Sequence, residues 1–234
     1  MATYRNLYNK ATIYPPCCLQ QQNAKGTTMD KNVLDAIKKW PDVPAVYGWL
    51  SLELNGKWKL HPAGSYQPGK PGESIGSPQI NHFINRNYVA TKKGEWFFQN
   101  GPQRVYVCLE HAPYVLHLAE DGFTLDTHTL QTVQTIHAWY LDEQGFLYAQ
   151  TNLGAAIICG RDTPQVIDCF SIGHPNDPNG KQDSLSEKHL LELGQGRQLD
   201  VSYRQHPEYS APLEQIDSKL IPEKMHFIAW PMAE

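Results

Sequence analysis

The sequence lacks the short motifs that mark several common classes of enzyme. It contains no Gly-x-Gly-x-x-Gly dinucleotide fingerprint and no Gly-Lys-Ser/Thr phosphate-binding loop. Its ten histidines include no His-x-x-x-His pair, and its five cysteines include no Cys-x-x-Cys pair. We therefore expect no cofactor, no resident metal and no catalytic residue, which favours a protein that is not an enzyme.

Charge is also scarce, and long apolar runs are absent. Only 19% of the residues are charged and the formal net charge is −4, so nothing indicates binding to nucleic-acid phosphates. No apolar run approaches the roughly 18–20 residues that span a bilayer, and the N-terminus lacks the apolar core of a signal peptide. The odd number of cysteines is typical of thiols in a reducing compartment. We expect a cytoplasmic protein with no nucleic-acid or membrane partner.

The composition is that of a turn-rich β protein. Hydrophobic residues make up 41%, Gly and Pro number 17 each, and the six Trp and twelve Tyr favour strands. Between residues 46 and 160, turn signals separate alternating apolar segments about every 8–12 residues, as in antiparallel sandwiches and barrels. This predicts a mainly β (α+β) fold, in which an antiparallel meander forms a barrel or sandwich with peripheral helices at both ends.

Three regions make up the predicted single domain. Residues 1–45 form an N-terminal arm and a helix over 29–40 that Thr27 caps, residues 46–160 form the antiparallel β core, and residues 161–234 form a helical and extended addition packed on the core. Within that addition, a short helix is predicted to begin at Pro164, capped by Asp162 or Thr163. Further helices are predicted at residues 184–193 and 213–220, and strands at residues 199–203 and 226–230.

Local signals in the β core differ in strength. Asn55 and Gly56 separate two alternating segments and predict a hairpin over residues 47–61, because both residue types tolerate positive φ. Residues 62–79 are rich in glycine and proline, and are interpreted as a surface crossover or as a lid over a site. The apolar spacing of residues 79–90 fits a helix or a strand, and a strand is predicted.

The central stretch, residues 94–110, combines an aromatic run, an amide-rich turn and an alternating strand. Val105, Val107 and Leu109 are predicted to face the core, which leaves the other face of that strand for function. Amides both donate and accept hydrogen bonds and arginine presents a planar fork of donors, so this region could hold a carboxylate, a peptide or a planar polar ligand. The alternative is that these side chains brace the turn. The candidate ligand-binding residues are Arg86, Asn87, Gln99, Asn100, Gln103, Arg104, Tyr106 and His128.

The segment from Trp96 to Val105 (WFFQNGPQRV) resembles the most distinctive segment of an uncharacterised bacterial protein family of unknown function. Other elements that match the family are Gly48-Trp49, Gly56–Trp58, Asn87-Tyr88, Gln99–Arg104, Thr127-His128-Thr129, and Asp142 with Gly145. The resemblance covers residues 46–163. It implies no known activity and bears on the location of the site alone.

Two sets of residues raise the possibility of a metal. The adjacent thiols of Cys17 and Cys18 could bind a soft metal, and His117, His128 and His137 lie on three successive predicted strands. The simpler explanations are a packed or dangling arm and three separate histidines. Cys108, in the middle of a strand, is interpreted as a packing residue and not as a nucleophile.

These observations favour a binding or accessory module that uses the polar face around the Gln99–Arg104 turn, with an unidentified small molecule or protein as partner. The alternatives are a metal-dependent enzyme with strand histidines, and a structural subunit that pairs through a sheet edge. Neither the ligand nor the oligomeric state follows from the sequence.

Overall fold

The structure of the protein, a computed structural model, describes residues 29–173 and 182–233. Cys17, Cys18 and Thr27 lie outside the described residues. The helices are α1 (Lys31–Lys39), α2 (Pro78–Arg86), α3 (Thr163–Asp168), α4 (Glu187–Gly194) and α5 (Ile221–Lys224), with 3-10 turns at Pro62–Gly64, Pro207–Tyr209 and Ser218–Leu220. The strands are β1 (Val46–Leu52), β2 (Trp58–Leu60), β3 (Glu73–Ser74), β4 (Tyr88–Ala90), β5 (Trp96–Asn100), β6 (Gln103–Leu109), β7 (Tyr114–Leu118), β8 (Leu125–Thr127), β9 (Ile136–Leu141), β10 (Leu147–Thr151), β11 (Gly154–Ile158), β12 (Phe170–Gly173), β13 (Gln182–Asp183), β14 (Leu199–Tyr203) and β15 (Ala211–Gln215).

The first sheet has six strands in the order β3-β2-β1-β6-β5-β4. Strands β1 and β2 form the predicted hairpin, in which Leu50 lies opposite Leu60 and Leu52 lies opposite Trp58. Gly56 in its turn has a φ of +79°, a conformation that glycine adopts without steric cost. Strands β5 and β6 form the second hairpin, as predicted.

Helix α2 replaces most of the strand predicted over residues 79–90. The Ser77 side chain accepts a hydrogen bond from the Ile80 amide, and Pro78 occupies the first turn, two features that start helices. Ile84 lies one turn after Ile80, so both side chains reach the same surface of the sheet. The strand prediction is wrong here because the helical start signal and the 3.6-residue spacing outweigh the β-branched content.

The second sheet has nine strands in the order β13-β12-β14-β15-β9-β10-β11-β7-β8. Strands β9, β10 and β11 form the antiparallel meander that the turn signals predict. Among the described strands, however, β1 with β6, β7 with β11, and β9 with β15 pair in parallel. The β-rich α+β class is confirmed, while the two sheets are mixed and not a plain antiparallel meander. Turn signals identify neighbours along the chain but carry no information on these long-range partners.

The C-terminal region contributes strands to the second sheet. Strand β14 is confirmed, and Leu213 on β15 pairs with Leu199 on one side and Trp139 on the other. The helix predicted over residues 213–220 is therefore wrong at its start, because the alternating burial of residues 211–215 suits a strand between two partners.

The end of the chain returns to the first sheet. Ile228 forms a single parallel bridge with Glu95, and the Leu109 amide donates to the Ala229 carbonyl at 2.7 Å. The strand predicted over residues 226–230 is thus reduced to one bridge. These contacts still satisfy part of the backbone of this segment.

One apolar core joins the two sheets. The Tyr88 ring of the first sheet meets the Tyr114 ring of the second, with centroids 6.2 Å apart. The Trp58 ring of the first sheet packs against Tyr88, with centroids 5.1 Å apart. The Tyr88 hydroxyl donates to the Pro113 carbonyl at 3.1 Å. Leu52 and Val107 lie on the same face of the first sheet and are buried in this core. We call this surface the core face of the first sheet.

Candidate functional site

An apolar groove lies between α2 and the core face of the first sheet, with a volume of about 490 Å³. Its most deeply buried lining residues are Leu50 on β1 and Ile84 on α2, which are 3% and 2% exposed. Its rim is open, since Trp49, Leu60 and Ile80 are 39%, 38% and 50% exposed. The lining residues are Val46, Trp49, Leu50, Leu60, Ile75, Ile80, Ile84, Phe98, Asn100, Gln103 and Val105.

Contacts to both sheets hold α2 in place above this groove. The Phe83 ring packs edge-on against the Phe98 ring of β5, with centroids 5.4 Å apart. The indole N–H of Trp58 donates to the side-chain oxygen of Asn85 at 2.7 Å, and the side-chain nitrogen of Asn85 donates to the His128 carbonyl at 3.1 Å. These contacts fix the helix that forms one wall of the groove.

Two of the predicted ligand-binding residues lie in the groove. Asn100 and Gln103 are opposite each other at the end of the β5–β6 hairpin, on the same face as the pair Phe98 and Val105. The Gln103 side-chain amide donates to the Pro44 carbonyl at 3.3 Å, and Asn100 is exposed. The groove thus has an apolar body and two amide side chains at one end, and the described residues that line it carry no formal charge.

The amides of Asn87 and Gln99 brace the fold. Asn87 is fully buried; its side-chain oxygen accepts from the Asp30 amide at 3.1 Å and its nitrogen donates to the Phe83 carbonyl at 2.9 Å. Gln99 is 3% exposed, and its side-chain nitrogen donates to the Gly101 carbonyl at 2.9 Å. The Asn87 bonds connect the start of α1 to the end of α2, and the Gln99 bond lies within the central turn, so both amides stabilise local structure.

Arg86, Arg104 and Tyr106 do not join the groove lining. The Arg86 guanidinium forms an ion pair with Asp30 at 3.1 Å. On the face opposite the groove, the exposed Arg104 guanidinium lies 4.9 Å from the centroid of the Phe97 ring. Tyr106 is buried there, stacked on Tyr47 with ring centroids 4.6 Å apart.

The face of β6 that is predicted to carry the function is therefore covered around Tyr106 and Cys108, which are 7% and 4% exposed. Burial raises the pKa of the Cys108 thiol to about 11, which suits a packing residue and not a nucleophile. The groove instead continues the face of Val105 and Val107. Alternation along β6 separates its two faces correctly, but does not show which of them remains open.

His128 lies between the two sheets and not at the turn. Its ring contacts the rings of Trp58 and Tyr88, and its Nδ1 accepts from the Val115 amide at 3.2 Å. Burial lowers its pKa to about 3, with a smaller contribution from His117. Its Nε2 is buried without a hydrogen-bond partner among the described residues. His128 is thus half-buried between the sheets, and its lowered pKa favours the neutral imidazole.

The three strand histidines do not form one metal site in the described part of the chain. His128 is half-buried and packs against aromatic rings, whereas His137 is exposed on β9. His117 lies instead beside Asp162, with its Nδ1 3.2 Å from the carboxylate, in a cluster that includes Cys159.

The loop over residues 62–79 is fixed to the first sheet. The Tyr66 amide donates to the Gly48 carbonyl at 3.1 Å, and β3 within the loop pairs with β2. The loop forms one wall of a polar cavity of about 220 Å³, to which Ser51 also contributes. Ser51 bonds His61 at 2.8 Å and both are buried, so this pair joins β1 to the start of the loop.

Residues 72–76 (GESIG) match the letters of the Gly-x-Ser-x-Gly hydrolase motif. In that motif the serine occupies a sharp turn between a strand and a helix. Here Ser74 lies on the edge strand β3 and its hydroxyl accepts from the Lys59 ammonium at 2.7 Å. The structural context of a nucleophile elbow is not met at Ser74.

The sheet edges are short. The outermost strands of the first sheet are β3 and β4, and those of the second are β8 and β13; each spans two or three residues. Short edges offer few backbone groups for pairing with another chain, so nothing in these edges favours a structural subunit built by strand addition.

The sequence does not predict the apolar half of the groove. Its upper wall comes from α2, most of which lies in a segment, residues 79–90, that is predicted to be a strand. Ser77 followed by Pro78, with Ile80, Phe83 and Ile84 at helical spacing, is the signal that indicates this helix.

Among the described residues, no helix is sufficiently long and apolar to cross a bilayer.

Comparison with known proteins does not identify a ligand or a reaction for this chain. No curated protein matches the chain. The crystal structure of a DUF1285 family protein from Silicibacter pomeroyi DSS-3 is similar to it with a TM-score of 0.41 and 15% identity, over 63% of this chain and 84% of that chain.

The sequence profile of one family matches nearly the whole described region. The match covers residues 29–232, which is wider than the resemblance over residues 46–163. It includes both sheets, the groove and the C-terminal strands. The chain therefore belongs to the family DUF2944, whose description reads "Protein of unknown function (DUF2946)".

Proposed function

We propose that this protein is a binding module that holds an uncharged amphipathic small molecule in the groove between α2 and the first sheet. The observation that supports this proposal is the pairing of an apolar groove of about 490 Å³ with the amides of Asn100 and Gln103 at one end. Small-molecule sites are usually concave and apolar, with a few polar groups that fix the orientation of the ligand.

The apolar body of the ligand lies against Ile80, Leu60 and Trp49. These side chains are 50%, 38% and 39% exposed, and covering them removes apolar surface from water. Each 100 Å² of apolar surface removed contributes on the order of 2.5 kcal/mol before the costs of association. A small apolar chain can therefore bind with useful affinity.

The polar end of the ligand is neutral. Among residues 29–173 and 182–233, no lysine, arginine, aspartate or glutamate lines the groove, and Arg104 lies on the opposite face against Phe97. A carboxylate at Asn100 would lose hydration without gaining a charge partner. An amide or hydroxyl instead exchanges hydrogen bonds with Asn100 and with the side-chain oxygen of Gln103.

Isothermal titration of the full-length protein with octanamide and with octanoate tests this proposal. We expect one saturable site and tighter binding of octanamide. Ile80→Ser removes apolar contact and should weaken octanamide binding by about tenfold. Asn100→Leu removes one hydrogen-bonding group and should weaken it by about two- to tenfold.

Leu191→Ser is the matched control, because Leu191 is 69% exposed on α4 and does not line the groove. It should bind octanamide like the unmodified protein. Saturable binding that Ile80→Ser leaves unchanged, or equal loss in the Leu191→Ser variant, contradicts the proposed site. Preference for octanoate contradicts the neutral polar end.

A further inference from the structure

A cluster of three different metal-ligand side chains lies at the ends of β7 and β11 in the second sheet. Neither strand takes part in the groove. Strands β7 and β11 run in parallel, with Leu116 beside Ile158. The next residues along these strands are His117 and Cys159, and the Cys159 amide donates to the Leu116 carbonyl at 2.9 Å. The parallel register thus brings an imidazole and a thiol to the same end of two neighbouring strands.

The turn after β11 adds a carboxylate to this pair. The Asp162 amide donates to the Cys159 carbonyl at 2.8 Å, which folds the turn back over the strand ends. One Asp162 oxygen lies 3.2 Å from His117 Nδ1. One ligand atom from each of His117, Cys159 and Asp162 lies within 4.8 Å of the other two.

The surroundings favour His117 Nδ1 as the ligand atom. A side chain added at Gly56 would place its first carbon 3.2 Å from His117 Nε2, so the hairpin turn of the first sheet covers that nitrogen. Nδ1 is turned toward Asp162 instead. Cys159 is 5% exposed and unpaired in any disulfide, whereas His117 is only half-buried, which leaves room for a water molecule as a further ligand.

We propose that His117, Cys159 and Asp162 form a binding site for one Zn²⁺ ion. Thiolate, imidazole and carboxylate are the three protein ligands that Zn²⁺ uses, at about 2.0–2.3 Å, and three of them with one water complete a tetrahedral site. Those distances bring the ligand atoms within about 4 Å of one another, so the cluster contracts by roughly 1 Å on binding. The Cys159 thiol gives its proton to solvent as the Zn–S bond forms.

Arg161 is compatible with this arrangement. Its Nε lies 3.2 Å from the second oxygen of Asp162, and its side chain is 75% exposed. Arg161 can remain bonded to this second oxygen while the first oxygen binds the ion. Such partners outside the coordination shell orient metal ligands. The ion joins β7, β11 and the start of α3, so binding should raise the thermal stability of the protein.

Titration of the full-length protein with Co²⁺ and Zn²⁺ tests the site directly. A Cys17→Ser/Cys18→Ser background removes the two thiols that lie outside the described residues. In that background we expect one Co²⁺ per chain, a near-ultraviolet thiolate-to-cobalt absorption band, and displacement of the Co²⁺ by Zn²⁺.

Substitutions separate this site from adventitious binding. Cys159→Ser should abolish the absorption band, and Asp162→Asn should weaken binding by at least about 10- to 100-fold, as lost ligand support does elsewhere. Cys169→Ser is the control, since Cys169 is also a free, buried thiol but lies outside the cluster. Circular dichroism checks that each variant is folded.

Absence of saturable Co²⁺ or Zn²⁺ binding at micromolar concentration overturns the proposal. So does an absorption band that survives Cys159→Ser, or binding lost equally in Cys169→Ser. If Cys159→Ser does not fold, the result for Asp162→Asn decides between these outcomes. None of them depends on ligand binding in the groove.

Discussion

The Phe83 ring on α2 packs edge-on against the Phe98 ring on β5, with the two ring centroids 5.4 Å apart. This contact places a helix over one end of the core face of the first sheet. Ile80 and Ile84 are thereby held above Leu50, and an apolar groove forms between them.

Removing the Phe83 ring should loosen the helix. Phe83 is half-buried, so Phe83→Ala should lower the free energy of unfolding by about 1–3 kcal/mol, less than the loss expected for a fully buried ring. Phe83→Leu keeps most of the apolar contact and should cost less. Urea denaturation measures both variants, and equal stability of Phe83→Ala and the unmodified protein contradicts this role.

The buried and exposed amides near the central turn should respond differently to substitution. Asn87→Ala leaves the Asp30 amide and the Phe83 carbonyl without their partner, and should cost about 1–3 kcal/mol of stability. Asn100→Ala changes an exposed residue and should stay within about 0.5 kcal/mol. Chemical denaturation distinguishes them, and similar losses would show that Asn100 also braces the turn.

Alanine substitutions at two glycines with similar φ angles distinguish the cost of backbone strain from the cost of steric contact. Gly56 has a φ of +79°, and an added side chain would place its first carbon 2.8 Å from the His128 Cβ. Gly122 has a φ of +73° and nothing within 4 Å. Gly122→Ala should cost about 1 kcal/mol from backbone strain. Gly56→Ala should cost about 1–3 kcal/mol more; a smaller loss for Gly56→Ala contradicts the close contact with His128.

Stability should depend on pH through His128. Burial lowers its pKa from 6.5 to about 3, so the unfolded state binds a proton that the folded state does not. This contribution is fully present above pH 6.5 and is lost as the pH falls toward 3, by about 2 kcal/mol at pH 5. His61 and His111 also have lowered pKa values, caused mainly by burial, and act in the same direction.

His128→Gln keeps a hydrogen-bond acceptor near the Val115 amide but does not titrate. The free energy of unfolding of this variant should fall less steeply between pH 7 and pH 5 than that of the unmodified protein, by about 2 kcal/mol at the lower end. Parallel pH profiles for the two proteins would show that His128 is not buried in its neutral form.

Local sequence signals account for the hairpins and the β-rich class. Asn55 with Gly56 defines a turn by residue type alone, because few residues adopt its backbone angles. The alternation of Val105, Val107 and Leu109 similarly identifies one face of β6. Neither signal depends on distant parts of the chain.

The remaining features depend on partners far away in the sequence. The parallel pairing of β9 with β15 leaves no local mark, so residues 213–215 of β15 fall within the predicted helix over residues 213–220. Which face of β6 remains accessible depends on Tyr47 and on α2, which lie elsewhere in the chain. Asn87 and Asn100 are the same residue type near the same turn, yet one is fully buried and the other is exposed.

The proposed groove is tested most directly by nuclear magnetic resonance of full-length protein with labelled isoleucine methyl groups and side-chain amides, titrated with octanamide. We expect saturable shifts of the Ile80 and Ile84 methyl groups and of the Asn100 and Gln103 amides, all with one dissociation constant. The methyl groups of Ile167 and Ile216, which do not line the groove, should not shift. Saturable binding that shifts Ile167 or Ile216 and leaves the groove resonances unchanged would contradict it, as would a complete absence of saturable shifts.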